Sequence, residues 1–175
     1  MRAGPLTVAP VHGEKIAARE DGARWKLAGE MKRVPWARVA QHVVVLCSGP
    51  AGDIVACVER GLCRITPGHN LAHEPRDDVV LDEVAVAAGL AAPAAHGIDH
   101  HALRLRGALA RSLLMAGALE RALELAVRYA TERSQFGRKI GQFQAIQQEL
   151  ARFAGEVAAA VASALSAAGA VERGE

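Results

Sequence analysis

The residues best suited to chemistry lie in one stretch, Tyr129-Ala130-Thr131-Glu132-Arg133-Ser134-Gln135-Phe136-Gly137, and just beyond it in Phe143, Gln144 and Gln147. A guanidinium at Arg133 can meet a phosphate with two parallel charge-assisted hydrogen bonds, a geometry that a lysine ammonium lacks. Gln144 falls where a following helix begins and exposes its unpaired N–H groups, which also favour an anion. Phe136 offers a flat apolar face, and Gly137 lets the backbone pass close by. Taken singly, these are a solvated charge at a helix end, a ring capping the core and an ordinary helix starter. Taken together at this spacing, they read as an anion-binding surface with an aromatic wall.

Such a surface needs a helix on each side to hold it. Leu105, Leu109, Leu113, Ala116, Leu119, Leu123, Val127 and Ala130 recur every three or four residues, the period of one helical face. Glu124 stands four residues before Arg128, the order that supports a helix. Gly137 stops the pattern, and a second helix is predicted from about Gln144, with Ile146, Leu150, Phe153, Val157, Val161 and Leu165 on its stripe. The Ala-rich run at 154–170 continues that helix. Two long antiparallel helices alone leave apolar surface on both members, so an oligomer or a covering partner is expected.

Upstream, from Trp25 to about Ala88, the period is that of strands. Short β-rich runs at Trp25–Leu27, Gln41–Leu46, Ile54–Glu59, Leu62–Thr66 and Val79–Val86 are separated by turn formers such as Ser48-Gly49-Pro50 and Pro67-Gly68-His69-Asn70. Val79, Leu81, Val84 and Val86 alternate with one break at Asp82-Glu83, as a half-buried strand with a bulge does. The acidic pairs Asp77-Asp78 and Asp82-Glu83 read as edge charges that discourage sheet-to-sheet association. The expected fold class is α+β, an antiparallel β-sheet segment followed by a long antiparallel helical hairpin, part of a four-helix bundle. A β domain over residues 1–90 and a helical domain over 98–175 flank an Ala-, Gly- and Pro-rich joint.

Composition narrows the function classes. With 175 residues, 51% of them apolar, the chain can bury a sizeable core. A net charge of +2 gives no electrostatic reason to expect nucleic acid or an anionic membrane surface. Met1–Pro10 holds one Arg and two prolines without a continuous apolar stretch, so neither a signal peptide nor a membrane span is expected. Cys47, Cys57 and Cys63 are odd in number and lack CxxC spacing, which points to reduced thiols in the cytoplasm. His69, His73 and Cys63 have no paired Cys ligands beside them, so no metal site is expected. His100-His101 reads as a solvated pair.

The stretch from Tyr129 to Gln147 closely resembles the signature of the acyl-CoA dehydrogenase family. That signature runs Tyr-Ala-x-x-Arg-x-x-Phe-Gly with a Gln eleven residues after the Arg, and Arg133 and Gln144 keep this spacing. Asp21-Gly22 to Ala37 resembles the family's middle β domain, and Asp78 to Val86 the strand leading into its helical domain. The resemblance implies FAD as cofactor, with Arg133, Phe136 and Gln144 holding the FAD of a neighbouring subunit, and the segment Arg33 to Pro35 against the isoalloxazine ring. It implies oxidation of the CH–CH bond of an acyl-CoA thioester in fatty acid metabolism, with electron-transfer flavoprotein as an acceptor.

In that family a glutamate removes the α proton while a hydride leaves the β carbon for flavin N5. Most members carry that base far downstream of the Arg133 motif, and a few carry it on the first helix, at a position that here is Gly107. Beside it, where the family often has a substrate-orienting Arg, stands Ala108, with Arg104 and Arg106 nearby. The family's N-terminal helical domain and its Thr-Glu-x-x-x-Gly-Ser-Asp stretch have no counterpart here. No catalytic residue is therefore assigned. The alternatives are a truncated dehydrogenase, a non-catalytic subunit that lends flavin contacts to a full-length partner, and an inactive remnant.

Overall fold

The computed structural model describes residues 5–9 and 16–174. The chain divides into two compact units, residues 1–105 and 106–175. The first is built on a sheet of eight strands: β1 (Leu6–Val8), β2 (Ile16–Asp21), β3 (Arg24–Pro35), β4 (His42–Gly49), β5 (Gly52–Glu59), β6 (Arg64–Thr66), β7 (Arg76–Ala87) and β8 (Ala91–Pro93). Their order is β6-β7-β3-β2-β4-β5-β8, with β1 pairing β4. The β1–β4 and β2–β4 pairings are parallel and the other pairings in this sheet are antiparallel.

Alternation decides which face is buried. Ile54, Ala56 and Val58 of β5 point inward while their neighbours stay more open, and Leu27, Met31, Val34, Val43, Val45, Val79, Leu81 and Val86 complete the same cluster. Each fully buried aliphatic side chain contributes about 1.5–3 kcal/mol, so this cluster carries the unit. The expected strands at Trp25–Leu27 and Val79–Val86 are parts of the twelve-residue β3 and β7. Two bulges let these strands run on past polar residues. Asp82-Glu83 stands opposite Ala28, and Lys32-Arg33 stands opposite Asp78. Each bulge carries one residue in the left-handed region, Glu83 at φ 51° and Arg33 at φ 57°.

The edge-charge expectation is corrected for Asp77-Asp78; at Asp82-Glu83, beyond the 78–80 stretch that β6 pairs, both residues are exposed and only β3 pairs β7. β7 lies inside the sheet between β6 and β3. Asp77 is fully buried and accepts from the Arg38 N–H at 2.8 Å, Arg38 Nε at 2.9 Å and the Gly68 N–H at 3.2 Å. Asp78 accepts from the Arg33 N–H and from Lys32, both at 3.1 Å, and Glu83 pairs with Arg19. These carboxylates are counter-ions within the sheet. They tie its loops and bulges down.

The second unit holds most of α1 (His100–Glu132, 33 residues), a ribbon of two-residue strands β9 (Ser134–Gln135) and β10 (Arg138–Lys139), and α2 (Gln144–Glu172, 29 residues). At 1.5 Å per residue the helices are about 50 and 44 Å long. The predicted apolar stripes are present but largely uncovered. Only Ala116 and Ala130 of α1, and Val157 and Ala164 of α2, are buried. α2 is also long and apolar enough to cross a bilayer by length and composition, although no membrane span was expected from the sequence; 11% of its most apolar window is buried.

At the start of α1, Asp99 caps the helix by accepting from the Ala102 N–H at 2.7 Å. That makes His100 the first helical residue. Its ring nitrogens are buried without hydrogen-bond partners among the described residues, and Nε2 lies 3.7 Å from Asp53 Oδ1. His100 is thus not the solvated residue its pairing with His101 suggested.

Candidate functional site

The predicted anion site is the link between the two helices, and local rules shape it. The Arg133 N–H extends α1 by donating to the Tyr129 carbonyl at 2.9 Å, and its own carbonyl accepts from Ile140 N–H at 2.9 Å. Between them β9 and β10 pair Ser134 with Lys139 and Gln135 with Arg138. Only Phe136 and Gly137 are left for the turn. Both have positive φ, 51° and 80°, as the tightest hairpin loops with a right-handed ribbon twist require. Glycine meets that demand freely; a phenylalanine there costs on the order of 1 kcal/mol. The strain puts the Phe136 ring at the tip, 92% exposed.

Other side chains stiffen the link. Lys139 Nζ donates to the Glu132 carbonyl at 2.7 Å, satisfying one of the open carbonyls at the end of α1. With its carboxamide oxygen turned toward Arg133, Gln135 accepts from Nη2 at 2.6 Å and from Nε at 3.2 Å. This fixes the Arg133 guanidinium and leaves its far end free. Phe143 meets Phe136 edge to face, with centroids 6.3 Å apart at 84°, and the Arg138 guanidinium carbon lies 4.2 Å from the Phe143 centroid.

Gln144 is the first residue of α2 and is exposed. No side chain caps this end of the helix, and no acidic residue lies in its first turn. Its first N–H groups therefore keep their partial positive charge for an external anion. No ion pair among the described residues engages Arg133, Arg138 or Lys139. An unpaired guanidinium, a presented aromatic face and an uncapped helix start are what a phosphate-bearing aromatic ligand such as FAD requires.

The structure places Arg133 immediately before the ribbon, Phe136 in its turn and Gln144 at the next helix start. No hydrogen bond or ring contact among the described residues joins the three directly; Gln135 and Phe143 do the bracing. Sequence alone assigned no role to Gln135, Phe143 or Arg138. The signal was available, since a two-residue loop at Phe136-Gly137 forces Gln135 and Arg138 to stand opposite each other.

The other expected flavin segment has several of its backbone donors and acceptors in use. The Arg33 N–H goes to Asp78, the Trp36 N–H goes to the Pro75 carbonyl at 3.2 Å, and the Pro35 carbonyl accepts from Thr7 Oγ1 at 2.5 Å. Pro35 has no N–H, so what this segment keeps for a ligand is the Pro35 ring and the exposed Arg33 side chain. Gly107 of α1 has no side chain to hold a proton. The His69 and His73 rings stack at 5.3 Å. All three cysteines are free, and burial, with the Asp53 charge adding, pushes the Cys47 thiol up to about 12, leaving it inert.

Residues 101–175 match the family described as acyl-CoA dehydrogenase, C-terminal domain. Among curated proteins none matches the chain. Among solved structures, the ChsE4–ChsE5 complex from Mycobacterium tuberculosis superposes with a TM-score of 0.80 at 26% identity, over 95% of this chain and 47% of that one. A glutaryl-CoA dehydrogenase from Mycobacterium smegmatis in complex with FADH2 gives 0.77 at 22% identity, over 92% of this chain and 45% of that one. A glutaryl-coenzyme A dehydrogenase in complex with glutaryl-CoA gives 0.78 at 24%, over 94% and 47%. The last two, at that identity, show the fold alone. The chain spans about half the length of these structures. Residues 101–175 thus match the acyl-CoA dehydrogenase C-terminal domain, and nearly the whole chain shares its fold with solved structures that include dehydrogenases of that kind.

Proposed function

We propose that this chain holds FAD for an acyl-CoA dehydrogenase-type reaction, the oxidation of the CH–CH bond of an acyl-CoA thioester. FAD, when bound, supplies the hydride acceptor. The observation that carries this reading is the Arg133 guanidinium, free of any carboxylate partner and held by Gln135, beside the exposed Phe136 and the uncapped start of α2. In it, Arg133 and the α2 N–H groups bind the pyrophosphate, Gln144 adds a neutral hydrogen-bonding group, and Phe136 shields one side from water.

A second observation favours a lending role over a complete active site. Gly107 offers no base, and the segment Arg33–Pro35 has no open N–H for a flavin ring. On this version the chain presents Arg133, Phe136 and Gln144 to a flavin whose ring and acyl-CoA substrate lie on another subunit, a second copy or a full-length partner. Electron-transfer flavoprotein would take the electrons from that assembly. The ChsE4–ChsE5 structure, a complex of two proteins, makes a mixed assembly a reasonable form to test first.

The test is FAD binding by equilibrium dialysis and flavin absorbance, for the chain alone and mixed with a full-length homologue. Loss of a charge-assisted pair is worth about 1.5–3 kcal/mol, so Arg133→Ala should weaken binding by about tenfold or more. Equal affinity in wild type and Arg133→Ala would refute the assignment.

A further inference from the structure

We infer that Arg138 is a second phosphate-contact residue of this site, preset by the Phe143 ring. The inference rests on the flavin reading above and adds to it a residue that the spacing of the motif did not reveal. Gln135 touches the Arg133 guanidinium and stands directly opposite Arg138 on the ribbon. Arg133, just before the ribbon, and Arg138, on it, are therefore both neighbours of Gln135, on a ribbon only two residues long per strand. Arg133 immediately precedes β9 and Arg138 opens β10, so the short link carries two positive charges, and no carboxylate among the described residues compensates either one. A fold that accepts this arrangement, with a strained Phe136 at the tip, leaves the compensation to a ligand.

Charge stoichiometry says what the ligand carries. Gln135 already occupies the Nε edge of Arg133, so that residue has one end to offer. A pyrophosphate carries two negative charges, and a helix start supplies only about half a positive charge. Arg138 supplies what is missing. A guanidinium over an aromatic face keeps its N–H donors in its own plane, and no protein acceptor among the described residues uses those of the Arg138 side chain. The stack on Phe143 thus fixes the group without consuming its hydrogen-bonding capacity. Phe143 immediately precedes Gln144, so the stack also seats Arg138 beside the first turn of α2.

The experiment measures Kd for FAD, ADP and riboflavin with the full 175-residue chain, at two salt concentrations. The variants are Arg138→Met, which keeps the stem over Phe143, Arg138→Lys, which keeps the charge, and Arg133→Ala. Arg138→Met should weaken FAD and ADP by about tenfold and flatten the salt dependence, with Arg138→Lys between it and wild type. Riboflavin, which has no phosphate, should respond to none of them. If Arg138→Met binds FAD as wild type does while Arg133→Ala has lost it, the inference is wrong and the flavin reading stands. If riboflavin weakens as much as FAD, Arg138 only shapes the ribbon and the inference again fails. If the wild-type chain, alone and with a full-length partner, binds neither FAD nor ADP, the flavin reading and this inference fall together.

Discussion

Asp77 shows how much a single buried carboxylate organises in this chain. Burial alone would raise its pKa, but the Arg38 side chain, the Arg38 N–H and the Gly68 N–H together hold the carboxyl below its ordinary value. Those bonds fasten the turn after β3 and the loop before β7 to one point. The pKa is lower in the folded chain than in the unfolded one, so the unfolded state binds more protons between the two values. The stabilisation is therefore complete above the ordinary carboxylate value near 4 and is lost as pH falls through the folded value. Asp77→Asn should destabilise the β unit by about 2–3 kcal/mol at pH 7, because it leaves Arg38 facing a neutral group. The low end of that range applies if Arg38, whose side chain is 37% exposed, rehydrates. It should also remove part of the acid sensitivity below pH 4. Urea unfolding of both proteins between pH 3 and pH 7 checks this; parallel stability curves would show that Asp77 contributes no proton linkage.

At the scale of elements, the start of α2 depends on how closely its approach passes the end of α1. A Cβ added at Gly141 would lie 3.0 Å from the Ala130 carbonyl oxygen and 3.3 Å from its carbon, both backbone atoms of a helix that cannot easily yield. Gly141→Ala should cost about 1–2 kcal/mol and, by shifting the start of α2 away from the ribbon, weaken FAD binding as well. Unchanged thermal unfolding and unchanged affinity would show that the close approach is not needed. The helices, the break at Gly137 and the Arg133–Gln144 spacing were readable from sequence because all depend on neighbours within a dozen residues. The bulge at Asp82-Glu83 was readable for the same reason, as a break in alternation. What escaped depends on long-range pairing. β2 is mostly charged or small and is a strand because β3 and β4 flank it, while β1 and β8 are three residues each and exist only by pairing. Likewise Asp77 and Arg38 are 39 residues apart, so no local pattern could show that the aspartate is an internal counter-ion.

At the scale of the whole molecule, the two units differ in how much of their apolar surface they cover. The β unit buries its cluster, whereas the helical unit exposes Leu113, Leu119, Val127 and Leu165, the last two in one of two grooves lined by both helices. The larger groove, about 840 Å³, runs between Leu123, Val127, Val157, Val161 and Leu165, with Glu120, Glu124 and Arg128 at its rim. An apolar floor with a charged rim is the composition of a packing surface rather than of a solvated one. On the proposed reading, a chain that lends contacts to a flavin on another subunit must also assemble to work. Association of the chain with itself or with a full-length partner therefore follows from packing and from the proposed function alike. The purified chain should sediment well above its 18.4 kDa monomer mass at micromolar concentration. Leu165→Lys, which places a charge on the groove floor at a position 61% exposed in the single chain, should shift it toward monomer without lowering the stability of the β unit. A wild-type chain that sediments as a stable monomer, both alone and in the presence of a full-length homologue, would rule out the shared flavin site.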